Sequence, residues 1–348
     1  MNVISPSIQD ADDPLDRSAP SGGLLFILGA PRSGTTWLAK LFDSHPDVLY
    51  RNEPDTVLHE PRLPLLCPAE QVAAHRPLAR DYLDRLLALR SLRSSGSLPT
   101  FRKRGQSLTG HRLRSVLIQA LHAAQTLQRY LPQDVLERIP VPDPRRGRAA
   151  VPPLIVVKSV NARGRARLFA EVAPHGRIIF LLRHPCGQVA SVLRGVALGA
   201  FAPPDREEIL ATPLAARCGL TRAGFAALRP AEQFAWHWAI LNQMALDDLA
   251  PLGPERLRVV HYHDMVAAPQ AAMAALFDFA GLSPDRQSAA FLERSTHHTG
   301  RDGYYRVLKR DGQQAVNRWR SELAEDDQRR ILAIADQVAV GRQISAAD

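Results

Sequence analysis

Lysine is scarce in this chain. Of the 348 residues 44 are Lys or Arg, yet only Lys40, Lys103, Lys158 and Lys309 are lysines, so arginine carries the basicity. The formal charge is +9 against 35 Asp and Glu. A surplus of this size suits a nucleic acid, a membrane surface or a sulfated or phosphorylated ligand, and a coding bias toward Arg, Ala and Pro, as in GC-rich bacterial genomes, produces it equally well. Cysteine is scarcer still. Cys67, Cys186 and Cys218 are odd in number and far apart, without C-x-x-C spacing or a nearby histidine cluster, so neither a disulfide framework nor a metal site is expected. Long apolar runs are absent as well: Leu24 to Leu28 falls far short of the ~20 residues that span a bilayer. The first 23 residues place Asp10, Asp12 and Asp13 before Arg17 and hold no apolar stretch, which excludes a signal peptide. A reducing, cytoplasmic compartment is the expectation.

What is present is an ordinary globular composition, 45% hydrophobic and 23% charged, which excludes wholesale disorder. Residues 1–23 read as a flexible leader and 24–348 as a single domain. Short apolar runs, LLFILG (24–29), VLYR (48–51), LIVVK (154–158), RIIFLL (177–182) and LRVVHY (257–262), alternate with segments of helical period. Runs this short and rich in β-branched residues suit strands buried on both faces of a parallel sheet. The expectation is an α/β fold with a doubly wound parallel sheet flanked by helices. Residues 60–150 break the rhythm with two helical patterns, around Val72 to Leu92 and Leu113 to Leu131, a basic cluster at Arg102, Lys103 and Arg104, and a loop from Pro140 to Arg148. This is a helical insertion after the second strand and a candidate lid over an acceptor. The cluster Arg102 to Arg104 reads first as a solvated charge run and second as an anion contact. Trp236 and Trp238 fall at helical spacing among apolar residues and read as core.

Gly29-Ala-Pro-Arg-Ser-Gly-Thr-Thr-Trp37 follows the first strand and opens the first helix. Backbone N–H groups at a helix N-terminus, with glycine's freedom of backbone angle, converge there on an anion. A Walker loop would carry Lys at position 35 for the β- and γ-phosphates, but Thr35 stands there and the cation is Arg32. This P-loop-like text resembles the 5′-phosphosulfate loop of the sulfotransferases that use PAPS (3′-phosphoadenosine 5′-phosphosulfate). PAPS has no γ-phosphate and requires no Mg²⁺, so the missing lysine follows. The resemblance implies nucleotide contacts from Arg32, Ser33, Gly34, Thr35, Thr36 and Trp37, the last beside the adenine or else in the core.

RIIFLLRHPCGQVASVLRG (177–195) resembles the same family's 3′-phosphate motif, which implies that Arg183 and Ser191 hold the 3′-phosphate. VVHYHDMVAAPQAAMAALFDFAGL (259–282) looks like the family's Y-E-D-[LM] segment, and 301–323 is loosely similar to the region over the nucleotide, ending near Trp319 and Arg320. Sulfuryl transfer needs a base for the acceptor proton and cations for the charge on the moving group. Arg32 and Lys158, the latter closing LIVVK, supply the cations. Phenol-type members keep a histidine base where Val160 stands here. VLYRNEP (48–54) resembles a carbohydrate-type stretch and implies Glu53 as the base, with His45, His59 and His184 as alternatives. The resemblance therefore implies PAPS as co-substrate and transfer to a hydroxyl, in preference to an amine, of a carbohydrate, glycolipid or other small acceptor.

Two rival readings stand beside it. A P-loop small-molecule kinase or nucleotidase is disfavoured by Thr35, and a basic nucleic-acid binder without catalysis has only charge in its favour, since no helix-turn-helix, zinc-finger or RNP text occurs.

Overall fold

Described in the computed structural model are residues 23–126, 139–144, 152–200, 206–296 and 316–345. Strands β1 (Leu24–Gly29), β2 (Val48–Asn52), β3 (Leu154–Ser159), β4 (Arg177–Leu182) and β5 (Leu257–His261) pair in parallel in the order β2-β3-β1-β4-β5. Each of the five apolar runs is a strand. The alternation of β1 explains why two faces are buried: Leu25 and Ile27 pack on one side, Phe26 and Leu28 on the other. Helix α1 (Thr35–Ser44) covers the first face with Leu38, Leu41 and Phe42. The second face meets Val189 and Trp238, from the helices Pro185–Ala197 and Pro230–Leu249. Helices on both faces of a parallel sheet make the fold doubly wound. Trp236 and Trp238 are both core residues, at 8% and 1% exposure.

Between β2 and β3 the chain forms α2 (Pro54–Val57), α3 (Val72–Ala88), α4 (Leu92–Ser95) and α5 (Leu108–Thr126), with no strand among the described residues there. The pattern read as Val72 to Leu92 is two helices, because Ser91 caps a new one by accepting the N–H of Ser94 at 3.1 Å. The leader up to residue 22, positions 127–131 of the second helical pattern, 145–148 of the expected loop and 301–315 of the loosely matched region lie outside the described residues. Among the described residues no helix is long and apolar enough to cross a membrane.

One expectation needs correction. The Arg102–Arg104 cluster is not a solvated run as a unit. Lys103 is buried at 5% exposure, with its Nζ 3.0 Å from Asp43 Oδ1, while Arg104 meets both oxygens of Asp47 at 2.6 and 2.7 Å. Lys40, fully buried, takes the other Asp43 oxygen at 2.5 Å. Two buried lysines without a carboxylate would be too costly to desolvate, so Asp43 is what makes this corner of the fold possible.

Candidate active site

The end of β1 turns through Arg32 (φ 69°) and Gly34 (φ 102°) into α1. Both lie in the left-handed region, which glycine enters freely and arginine only under constraint. A Cβ on Gly34 would fall 2.5 Å from the Tyr262 ring, so this position admits nothing larger. Ser33 braces the turn by donating its hydroxyl to the Ala30 carbonyl at 2.7 Å. The first N–H groups of α1 have no intrahelical acceptor, as at any helix start, and Thr36 is exposed beside them.

The loop is tied to the next motif by side chains. Arg32 Nε donates to Ser191 Oγ at 3.1 Å, Arg183 Nη1 donates to the Arg32 carbonyl at 2.8 Å, and Gln188 Nε2 donates to the Pro31 carbonyl at 3.0 Å. Arg183 is itself positioned. Trp238 Nε1 donates to its carbonyl at 3.0 Å, and its guanidinium lies 5.0 Å from the Tyr262 ring centroid. Burial lowers the Arg183 pKa; Tyr262 opposes this, and Arg32 adds to it. Two arginines and a serine from separate sequence motifs thus converge beside the start of α1. An oxyanion fits this set by charge and by hydrogen bonding.

Trp37 is buried, donates its indole N–H to Ser295 Oγ at 3.0 Å and meets Tyr262 edge-on at 6.4 Å. His184 stacks on Trp319 with ring centroids 4.6 Å apart. His45 is a structural residue: its Nδ1 accepts the Asp47 N–H at 3.1 Å, which leaves Nε2 to donate to the Ser283 carbonyl at 2.8 Å. His59 is exposed.

The ends of β2 and β3 carry the second half. Glu53 follows Asn52, in register with Lys158, and its own N–H donates to the Lys158 carbonyl at 2.8 Å. Its φ of 44° is again left-handed, a constrained conformation for glutamate. One carboxylate oxygen accepts from Lys158 Nζ and the other from Arg93 Nη2. Burial pushes the Glu53 carboxyl up, but Lys158 and Arg93 together outweigh it and hold the group below the ordinary glutamate value. Burial lowers Lys158, with Glu53 opposing. Beneath them Ser159 Oγ donates to Asp55 Oδ2 at 2.6 Å, and burial raises Asp55.

Sequence reasoning missed two of these residues. Tyr262 lies in a segment matched by its text but not assigned a contact. Arg93 carries no signal at all, because an arginine in a helical insertion is unremarkable until the insertion is folded against β2.

A profile described as the sulfotransferase family matches residues 25–286. The chain belongs to the sulfotransferase family. Among solved structures it resembles the sulfotransferase domain of the curacin biosynthetic pathway, at 18% identity and TM-score 0.43, covering 90% of this chain and 96% of that one. The sulfotransferase domain of the Synechococcus PCC 7002 olefin synthase matches at 18% identity and TM-score 0.45, covering 95% and 98%. Mouse sulfotransferase SULT7A1, complexed with PAP, matches at 11% identity and TM-score 0.40, covering 94% and 88%. A search of the curated proteins finds no match.

Proposed function

We propose that this sulfotransferase moves the sulfuryl group from PAPS to a hydroxyl acceptor, with Glu53 as general base. The observation that supports it is the lateral order of the strand ends. Across the sheet from β2 to β4 they present Glu53, Lys158, the Arg32 loop and Arg183 in that sequence. Ligands of open parallel sheets bind at these carboxyl ends. Neighbouring strands lie ~4.8 Å apart, so three intervals, roughly 14 Å, separate the base from Arg183, with the two cations between them.

In this reading Arg183 and Ser191 hold the 3′-phosphate, and the α1 N-terminus with Ser33, Gly34, Thr35 and Thr36 holds the 5′-phosphate. Trp37 backs the loop next to the adenine. Glu53 takes the acceptor proton as the acceptor oxygen bonds to sulfur and the sulfur–oxygen bond to the 5′-phosphate breaks. Arg32 and Lys158 carry the charge that develops on the sulfuryl and leaving oxygens. The pair left behind is PAP and a sulfate ester. A carbohydrate or glycolipid acceptor is the class favoured by the Glu53 segment, and the reaction would not require a metal.

The testing experiment is a melting panel with PAP, ATP and adenosine phosphosulfate, each with and without Mg²⁺. PAP at a hundredfold excess over its Kd should contribute ~2.7 kcal/mol of stability without metal. Stabilisation by ATP with Mg²⁺ in place of PAP would overturn the reading in favour of a kinase.

A further inference from the structure

Glu53 is held by two cations of unequal character. Lys158 is 3% exposed and comes from the sheet; Arg93 is 51% exposed and comes from α4 in the insertion. An ion pair whose cation is half in water is weakly held, so Arg93 is the partner that can leave. Lys158 is fixed within β3.

The surroundings favour an incoming anion. Next to α4, Asp143 Oδ2 is shared by Arg51 at 2.8 Å and Arg90 at 2.7 Å. Arg114 adds a third guanidinium, donating to the Ser95 carbonyl on α4 at 2.7 Å. Three arginines around one aspartate leave net positive charge beside α4, the helix that carries Arg93, which favours an anion there.

We propose that Arg93 is the acceptor-recognition residue: it releases Glu53 and engages an anionic group, a carboxylate, phosphate or sulfate, carried by the acceptor near the hydroxyl that Glu53 deprotonates. This rests on the assignment of Glu53 as base. A planar guanidinium can trade its single bond to Glu53 for a two-pronged, charge-assisted one to an incoming oxyanion, and a neutral acceptor offers no such exchange. Release also strengthens the base when it is needed. The groups facing Glu53 are Lys158 from β3, Arg93 from α4, Asp55 from α2 and Tyr50 from β2, so removal of Arg93 leaves one cation against its carboxylate neighbour.

The experiment uses the full chain saturated with PAP and labelled with ¹³C at glutamate carboxyls, the Glu53 resonance being identified by its loss in Glu53→Gln. Inorganic phosphate is the probe, against chloride at equal ionic strength. The expected result is an upward shift of the Glu53 titration midpoint with phosphate in the wild type. Arg93→Gln should show a raised midpoint without phosphate and no further response, and Arg93→Lys a partial one. A wild-type midpoint that phosphate does not move, or one that moves equally in Arg93→Gln, would overturn the proposal. PAP binding is read separately by melting temperature in the same samples. Its absence would remove the nucleotide reading, whereas an unmoved Glu53 with PAP bound would remove Arg93 alone.

Discussion

Arg32 and Ser191 lie 159 positions apart in the chain and are joined side chain to side chain, with Arg32 Nε donating to Ser191 Oγ at 3.1 Å. The contact links the loop after β1 to the helix after β4, so the two motifs read separately in the sequence form one surface. Neither motif's spacing could have shown this.

Arg32→Ala and Lys158→Ala should each lower single-turnover transfer from PAPS by about 10²–10³, the cost of losing one preorganised donor. PAP binding should weaken less, because PAP lacks the sulfuryl group. Near-normal transfer in either variant would remove that cation from the chemistry.

Glu53→Gln keeps shape and hydrogen bonding but removes the basic oxygen. Transfer should fall by roughly 10²–10⁴ with PAP affinity nearly intact. Lys158 and Arg93 hold the wild-type carboxyl below its ordinary value, so it stays ionised to lower pH than a free glutamate. The acidic limb of the free enzyme's pH–rate profile should therefore lie below about pH 4.3 and vanish in the variant. A limb that persists near neutral pH in Glu53→Gln would move the base to a histidine such as His59.

Gly34→Ala places a methyl group against the Tyr262 ring at a φ of 102°. Left-handed backbone alone costs an L-residue about 1–2 kcal/mol, and the overlap adds to it. A lower melting temperature and lost PAP binding are expected, and a variant that melts and binds like wild type would show that the turn relaxes.

Asp43→Asn leaves Lys40 and Lys103 buried without their carboxylate, a loss of about 3–5 kcal/mol by denaturant unfolding. Burial raises the Asp43 carboxyl, but Lys103 and Lys40 outweigh it and hold it below the ordinary aspartate value. Its contribution is then complete above the unfolded-state pKa and is lost as pH falls through the folded one. The wild type should lose stability on acidification below about pH 4 more steeply than Asp43→Asn.

The sheet was legible because its inner strands are buried on both faces and read as unbroken apolar runs between Gly, Pro and charge. The loop was legible because its pattern is local, nine consecutive residues that turn from the end of β1 into α1. Arg93 and Tyr262 were not, since each reaches the site by long-range packing: α4 folds back on β2, and the chain leaves β5 directly beneath Gly34. Lys103 failed for a related reason. Three adjacent cations look like solvated surface until Lys103 is seen against Asp43, which lies 60 positions earlier in the chain.

The central claim is that Arg183 and Ser191 read a 3′-phosphate. Its most direct test is calorimetric affinity for PAP and for AMP in the wild type and Arg183→Ala. Arg183 should account for most of the PAP preference, so the variant should lose at least tenfold in PAP affinity, consistent with about 1.5–3 kcal/mol for a hydrogen bond to a charged group, while AMP, which feels Arg183 only through its bond to the Arg32 carbonyl, loses less. A wild type that binds AMP as tightly as PAP, or an Arg183→Ala that keeps the full preference, would contradict the account.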